Sequence, residues 1–215
     1  MKKFAVILAG CGVYDGAEIH EAVLTLYAIA KNGASYELFA PDVNQHHVVN
    51  HHTGKEMPET RNVLAESARI ARGKIMDLRK LEVRDFGAII LPGGFGVAKN
   101  LCTFALDGDQ CRVNDQVSRV IRDAVSLRKP IGALCISPVI LAKVLGDVEV
   151  TIGQDEGTAA AIGRMGARHR KATHGEVVID EKFRLFTTPC YMLDATIVQI
   201  AEGADNIVKA MLSRM

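Results

Sequence analysis

A cysteine at a strand-to-helix junction is the residue whose type and position best fit covalent chemistry. Cys135 directly follows the apolar run 130–134. Pro138, which favours the first turn of a helix, follows three positions later. A sharp turn there would expose the sulfur and aim it at the positive end of the helix dipole, which lowers a thiol pKa. This is the geometry of a nucleophile elbow. The alternative is a small buried core cysteine, as most free cysteines are.

Two consecutive glycines could supply an oxyanion hole for that cysteine. Gly93 and Gly94 follow the apolar run 88–91. Without a Cβ, their backbone can approach a ligand closely and turn its N–H groups inward. With the amide of Ile136, these groups could hold the oxyanion formed when a nucleophile adds to a carbonyl, so no metal or cofactor is needed. The alternative is a turn that only connects a strand to a helix.

An acidic residue, Glu18, follows the first apolar run at the same predicted edge of the sheet. One hypothesis is a carboxyl hydrogen-bonded to Cys135 that moves a proton during carbonyl chemistry, provided that burial raises its pKa. The other is a first-turn acid that complements the helix dipole. His20 either lines the same pocket or lies at the helix start on the surface. Cys11, Gly93 and Asn100 complete the candidate pocket.

The elements that must position these residues alternate between strand-like and helix-like segments, which is typical of a parallel sheet covered by helices on both faces. We predict strands at 3–9, 36–40, 88–91, 130–134 and 148–152, helices at 20–31, 63–72, 112–128, 138–145, 158–165 and 194–214, a loop or short hairpin at 44–60, and a hairpin within 176–187. Ligands bind at the carboxyl ends of such strands. In the first helix, Ala22, Val23, Leu26, Tyr27 and Ala30 are predicted to face the core.

Length and composition indicate one ordered domain spanning residues 1–215. The 26 basic and 25 acidic residues give a net charge of +1, which argues against binding to nucleic acid or anionic lipid. No apolar run approaches the ~18–20 residues that span a bilayer. The five cysteines are odd in number and irregularly spaced, which favours a reducing compartment over a disulfide framework or a zinc site. We therefore expect a cytoplasmic protein without membrane contact.

Several motifs together carry a family resemblance along the length of the chain. The segments CGVYDGAEIHE, ETRNVLAESARIARGKI, PGGFGVAKNL, LCISP and FTTPCYM resemble the isoprenoid-biosynthesis glyoxalase group, also called enhancing lycopene biosynthesis proteins. That group belongs to the superfamily of the parkinsonism-associated deglycase, PfpI-type proteases and class I glutamine amidotransferases. The resemblance implies one class I glutamine amidotransferase-like domain, an α/β flavodoxin-like three-layer sandwich with a mostly parallel central sheet and a nucleophile elbow.

The same resemblance implies site residues, an activity and a homodimer. It matches the nucleophile to Cys135, the glutamate to Glu18, and the oxyanion hole to Gly94 and Ile136. The implied activity is a glutathione-independent glyoxalase acting on small 2-oxoaldehydes. The sequence departs from the superfamily in two places, because Ile136 stands where some relatives have histidine, and Gly153-Gln154-Asp155 occupies a strand end where others carry one.

Four functional hypotheses remain open at this point. The first is a cofactor-free glyoxalase that forms a Cys135 hemithioacetal with an aldehyde substrate, with Glu18 moving the proton. The second is a redox sensor or binding protein whose Cys135 is oxidised to a sulfinate held by Glu18. The third is a structural or interaction protein that kept the fold after losing efficient catalysis. The fourth is an amidotransferase subunit, for which His174-Gly175-Glu176 is the superficial signal. The paired histidines at 46–47 and 51–52 fit a solvated or lid loop better than a metal site.

Overall fold

The computed structural model describes residues 2–215. Its strands in chain order are β1 (Lys3–Ile7), β2 (Ser35–Ala40), β3 (Val48–Asn50), β4 (Lys55–Met57), β5 (Met76–Asp77), β6 (Ala88–Leu91), β7 (Ile131–Leu134), β8 (Glu149–Val150), β9 (Arg168–His169), β10 (Val178–Asp180) and β11 (Leu185–Thr188). Seven of them form the central sheet in the order β10-β11-β7-β6-β1-β2-β5. All neighbours in it are parallel except β10 and β11. The predicted mostly parallel sheet is confirmed.

Helices cover both faces of this sheet. They are α1 (Ile19–Lys31), α2 (Val63–Ile70), α3 (Phe104–Asp107), α4 (Asp115–Ser126), α5 (Pro138–Leu145), α6 (Glu156–Arg164) and α7 (Ile197–Leu212). From β1 the chain crosses through α1 to β2, whereas from β6 it crosses through α4 to β7 in the opposite direction along the sheet. Because such crossovers are right-handed, α1 and α4 lie on opposite faces. This arrangement is the flavodoxin-like α/β sandwich.

The three strands at the centre of the sheet explain the longest apolar runs in the sequence. Every residue of β6 and β7 is buried, as are Phe4–Ile7 of β1. A parallel strand that is covered on both faces has no solvent side, so its sequence is continuously apolar rather than alternating. These strands hold the carboxyl-end loops in fixed positions.

The structure corrects one strand and moves the starts of three helices. Helices α4 and α7 each begin three residues later than predicted, at Asp115 and Ile197. The predicted strand 148–152 is only two residues long, and it pairs with β9 in a separate small sheet. Helix α6 begins at Glu156, two residues before the predicted start, because the Asp155 carboxylate accepts a hydrogen bond from the Thr158 amide at 2.7 Å and caps the helix. Residues 44–60 contain the hairpin β3–β4, as one of the two alternatives predicted.

The buried face of α1 differs from the predicted one. Ala22 is buried as expected, but Val23 and Tyr27 are 45% and 59% exposed. The inward face instead carries Glu21, Ala22, Thr25, Ala28 and Ile29. The prediction placed the large apolar side chains of α1 in the core, whereas two polar side chains, Glu21 and Thr25, are buried there. Within residues 2–215, no helix is both long and apolar enough to cross a membrane.

Candidate active site

The crevice between β1 and β6 is where the direction of the chain connections reverses. The strands on either side of it lead to opposite edges of the sheet. In open α/β sheets this switch point is the usual ligand site, outside the carboxyl ends of the strands. The loop after β1, the Pro92-Gly93-Gly94 turn after β6 and the Cys135 turn after β7 meet there.

Cys135 lies in a strained turn between β7 and α5. Its φ is +59°, in the left-handed region that non-glycine residues rarely adopt. The Cys135 amide donates to the Thr188 carbonyl at 3.0 Å, so the neighbouring strand β11 holds the turn. The buried Ser137 hydroxyl donates to the Pro92 carbonyl at 2.8 Å and ties the turn to the glycine loop. The predicted elbow geometry is present.

The backbone amides of Gly94 and Ile136 favour a charged Cys135 sulfur, because both lower the pKa of its thiol. An oxygen on a carbon bonded to that sulfur would lie close to the same donors. Gly93 lies between the thiol and a carboxylate, since a Cβ built on it would stand 2.4 Å from Cys135 Cβ and 2.5 Å from Glu21 Oε2. Only glycine fits at this position. The geometry therefore suits an oxyanion hole.

The carboxyl group that contacts the Cys135 thiol belongs to Glu21 and not, as one hypothesis expected, to Glu18. Glu21 is fully buried in the first turn of α1. Its Oε2 accepts a hydrogen bond from the Gly93 amide at 2.9 Å, and its Oε1 accepts one from the Tyr191 amide at 3.1 Å. These two bonds fix the carboxyl group beside the sulfur.

Burial shifts the titration of both groups in this pair. It raises the pKa of Glu21 to about 8, although the Tyr191 and Gly93 amides oppose the shift. Burial and the charge of Glu21 also raise the pKa of the Cys135 thiol well above its usual range, and the amides of Gly94 and Ile136 offset only part of this. The expectation of a thiol pKa lowered by the helix N-terminus is therefore wrong. Desolvation outweighs the dipole.

Glu18 caps the start of α1 and also lines the cavity. Its Oε2 accepts a hydrogen bond from the Glu21 amide at 2.7 Å, which is the N-cap interaction. The residue is 8% exposed and forms part of the cavity wall together with Cys135. The structure thus combines the helix-start role with a place beside the candidate nucleophile.

The cavity over Cys135 has a volume of about 320 Å³. Most of its wall is apolar, and its polar groups are few. The lining residues are Val13, Glu18, Gly94, Phe95, Ala98, Phe104, Ala105, Cys135, Ile136, Asp155, Thr158, Tyr191 and Met192. Asp155 belongs to the strand-end segment where some superfamily members carry a histidine. A larger groove of about 770 Å³ lies elsewhere, beside β2 and β5, and holds none of the candidate residues.

The remaining candidate pocket residues lie outside this lining. His20 is exposed and contacts the wall indirectly, with its Nδ1 2.9 Å from the Tyr191 hydroxyl. Asn100 braces the first loop, because its Nδ2 donates to the carbonyls of Ala9 and Asp15, both at 2.9 Å. Cys11 is half-buried, and its thiol interacts with Glu66 and Arg69 near α2 rather than with Cys135.

The histidine-rich hairpin docks on the first loop. His51 Nε2 accepts a hydrogen bond from the Tyr14 amide at 3.1 Å, and His47 Nε2 lies 3.0 Å from Lys99 Nζ. In the described part of the chain, no group of three or more histidine, cysteine, aspartate or glutamate residues could hold a metal ion. His174 and Gly175 form a turn before β10, as predicted.

Sequence reasoning did not assign Glu21, Tyr191 or Cys190 to the site, although the FTTPCYM segment contains the last two. A helical period places Glu21 on one face with Thr25 and Ala28, but no local signal shows that this polar face is the buried one. Cys190 is 5% exposed and has a φ of +46°, so a left-handed residue also follows β11, two positions after its last residue. Burial raises the pKa of the Cys190 thiol well above its ordinary value, as do the charges of Glu21 and Cys135. No local signal identified Tyr191 or Cys190.

The fold and the elbow define a class I amidotransferase-like protein of the kind that includes the DJ-1 and PfpI proteins. The chain is similar to a solved isoprenoid biosynthesis protein with an amidotransferase-like domain from Ehrlichia chaffeensis, with 35% identity, a TM-score of 0.92, and coverage of 99% of this chain and 100% of that one. Glyoxalase III from Candida albicans shares the fold at 12% identity, with a TM-score of 0.63 and coverage of 98% and 96%. No protein-family model matches the chain.

Two curated relatives identify the family more closely. The ES1 protein homolog of Rattus norvegicus is 46% identical over 98% of this chain and 83% of its own length. The human glutamine amidotransferase-like class 1 domain-containing protein 3 is 47% identical over 98% and 82%. The chain belongs to the ES1 family of amidotransferase-like proteins, and the resemblance to the isoprenoid-biosynthesis group is confirmed. Both relatives are named as mitochondrial, so the expectation of a cytoplasmic protein is contradicted.

Proposed function

We propose that this protein is a cofactor-free glyoxalase that converts small 2-oxoaldehydes such as glyoxal and methylglyoxal to 2-hydroxy acids. The observation that carries the proposal is the grouping at Cys135: a sulfur facing two backbone N–H donors, a buried carboxyl group against it, and a cavity of about 320 Å³ above it. A thiol, a proton acceptor and an oxyanion site are the groups that addition to an aldehyde requires.

In the first step, the Cys135 sulfur forms a bond to the aldehyde carbon C1. The thiol proton passes to Glu21 in its ionised form, which is the minor form at neutral pH. The aldehyde oxygen accepts hydrogen bonds from the N–H groups of Gly94 and Ile136. A base with a pKa of about 8 is near the range that suits general base catalysis at neutral pH. Return of the proton to the oxygen completes a hemithioacetal.

In the second step, Glu18 removes the proton from C1, and the C–H electron pair forms the C1–C2 double bond of an enediol while the C2 oxygen gains a proton. Return of a proton to C2 gives a 2-hydroxyacyl thioester, with the C1 hydroxyl proton released. Water then attacks this thioester, the C–S bond breaks, and the sulfur regains its proton. The sum is one oxoaldehyde plus one water giving one 2-hydroxy acid.

The redox alternative is less well supported. Peroxide would react with the same thiol, but so small an oxidant would not need the cavity of about 320 Å³ above the sulfur. An amidotransferase role would need a histidine beside the nucleophile, and the cavity lining described above contains none.

The test is the formation of glycolate and lactate from glyoxal and methylglyoxal by wild-type protein and by Cys135→Ser. We expect Cys135→Ser to abolish turnover. In the wild type, we expect peptide mass spectrometry to detect an acyl adduct on the Cys135 peptide. Cys11→Ser is the matched control, because Cys11 lies outside the cavity. Equal turnover by wild type and Cys135→Ser, or none by the wild type, would refute the proposal.

A further inference from the structure

The cavity is larger than the smallest oxoaldehydes require. A water molecule takes about 30 Å³ of liquid volume, so 320 Å³ corresponds to about ten waters. Methylglyoxal has only five non-hydrogen atoms and would leave much of this space to solvent. A substrate with a larger substituent on C2 would fill it.

The wall next to the reactive sulfur favours an apolar substituent. Phe95, Phe104, Tyr191 and Met192 provide aromatic and thioether surface. Phe104 is half-buried and packs against the core, which gives it a defined position. Contact of an aryl or branched alkyl group with such a surface removes apolar area from water and allows ring–ring contacts.

The charges of the lining disfavour anions. Its charged side chains are the carboxyl groups of Glu18 and Asp155, and no lysine, arginine or histidine occurs among the lining residues of the described chain. Asp155 is exposed, and the Thr158 amide lowers the pKa of its carboxyl group. Asp155 is therefore ionised at neutral pH. A carboxylate or phosphate on the substrate would meet repulsion without a compensating cation.

Resting on the proposed function, we infer that the Cys135 cavity selects neutral 2-oxoaldehydes that carry an apolar aryl or branched alkyl group, with Phe104 and Asp155 as specificity-determining residues. Phe104 supplies the surface for the substituent, and Asp155 repels anionic analogues. The chemistry is unchanged: phenylglyoxal plus water gives mandelate through the Cys135 hemithioacetal.

The first measurement is kcat/KM for phenylglyoxal, its 4-carboxy analogue and methylglyoxal. We expect phenylglyoxal to exceed methylglyoxal by about tenfold or more, since differences in apolar contact are worth roughly 10–200-fold in such pockets. Phe104→Ala should reduce the phenylglyoxal-to-methylglyoxal ratio by about tenfold. Phe183→Ala is the matched control, because Phe183 is half-buried but lies outside the lining; its ratio should equal that of the wild type.

The second measurement concerns charge. Asp155→Asn keeps an N-cap residue on α6 while removing the negative charge. We expect it to raise the ratio of 4-carboxyphenylglyoxal to phenylglyoxal turnover by about two- to fivefold at low salt, with the gain falling as salt is added. An unchanged ratio would overturn the role of Asp155.

A third measurement does not require turnover, and so separates this inference from the proposed function. Peptide mass spectrometry gives the rates at which 2-bromoacetophenone and iodoacetate alkylate Cys135, and the first rate is divided by the second. Dividing this ratio by the corresponding ratio for N-acetylcysteine removes the intrinsic reactivity of the two reagents. We expect a value above about ten for wild type, reduced by Phe104→Ala. This result without oxoaldehyde turnover would uphold the cavity preference and refute the glyoxalase. A value near one, or preference for methylglyoxal in turnover, would overturn the preference.

Discussion

Glu18 and Glu21 lie one helical turn apart, yet their carboxyl groups have different environments. The carboxyl group of Glu21 is buried beside Cys135 and accepts hydrogen bonds from two backbone amides, whereas that of Glu18 caps α1 and faces the cavity. Two carboxyl groups with separate environments can perform separate proton transfers. We therefore assign the thiol proton to Glu21 and the carbon-bound proton to Glu18.

Glu18→Gln tests the second of these assignments. The glutamine oxygen can still accept the hydrogen bond from the Glu21 amide, so the helix cap and the fold should remain. An amide cannot accept the C1 proton, and we expect turnover of methylglyoxal to fall about 10²–10⁴-fold. Thermal melting and the rate of Cys135 alkylation serve as controls for folding and for the thiol. A well-folded variant with near-wild-type turnover would limit Glu18 to a structural role.

Glu21→Gln tests the raised pKa through stability. The folded-state pKa is about 8 against a usual 4.5, so between these values the folded protein holds a proton that the unfolded chain has lost. Its stabilising contribution is complete below about pH 4.5 and is lost as the pH rises towards 8. We expect the free energy of unfolding of the wild type to decrease by about 1.4 kcal/mol per pH unit relative to Glu21→Gln over this window.

The measurement is urea unfolding of both proteins at several pH values between 5 and 8. The variant loses one amide hydrogen bond, because the glutamine nitrogen cannot accept, so its stability is offset at every pH. The slope is therefore the informative quantity. Parallel pH profiles would show that Glu21 titrates normally in the folded protein.

Among the elements, α4 ends in a backbone conformation that is unfavourable for the residue that adopts it. The helix ends in a Schellman motif, in which the Lys129 amide donates to the Ala124 carbonyl and the Arg128 amide to that of Val125. Arg128 lies in the left-handed region at φ +52°, a position that α1 fills with Gly33 at φ +73°. The exposed arginine adopts a conformation that glycine adopts without steric cost.

Arg128→Gly should stabilise the protein by up to about 1 kcal/mol. Relief of the left-handed conformation is worth ~1–2 kcal/mol, and the greater entropy of glycine in the unfolded chain offsets ~0.5–1 kcal/mol of it. Thermal and urea unfolding would measure the change. Gly33→Ala is the matched reverse case and should destabilise by a similar amount, whereas a destabilising Arg128→Gly would contradict the argument.

The elements also show which features sequence patterns could predict. The predicted helix 112–128 is observed as α4 at Asp115–Ser126, and its apolar residues Val117, Val120, Ile121 and Ala124 are all buried. The elbow at Cys135 and the glycine turn were also predicted, because strand-to-helix junctions have local signals. The face of α1 was wrong, because the burial of Glu21 depends on amides of Gly93 and Tyr191, which are distant in sequence. Local periodicity cannot register such a long-range compensation.

At the scale of the whole molecule, α1 and α7 present an exposed apolar surface. Ile19, Val23 and Tyr27 recur every four residues along α1 and are 42–59% exposed. Helix α7 packs against α1, where Lys31 forms an ion pair with Asp205 at 3.3 Å. It begins with Ile197 and Val198, which are 52% and 72% exposed. Exposed apolar side chains on two helices that pack together are typical of interfaces.

We expect a homodimer that uses this surface, as symmetric dimers are the commonest oligomers. Light scattering should give about twice the monomer mass of 23.3 kDa for the wild type at micromolar concentration. Tyr27→Glu should yield the monomer, whereas Leu127→Glu, an equally drastic change at an exposed residue after α4, should not. A wild type of monomer mass would contradict the expectation.

The left-handed residues Cys135 and Cys190 have a consequence for how this protein would evolve without its function. Each holds a conformation that costs about 1–3 kcal/mol, just after the adjacent strands β7 and β11. While the sulfur at 135 is needed, selection maintains that cost. In a lineage under relaxed selection, glycine at position 135 would be accepted and would stabilise the turn. This one substitution relieves the backbone strain and removes the nucleophile. Relatives that have lost the proposed activity would then be expected to carry glycine at this position and to have a less strained turn.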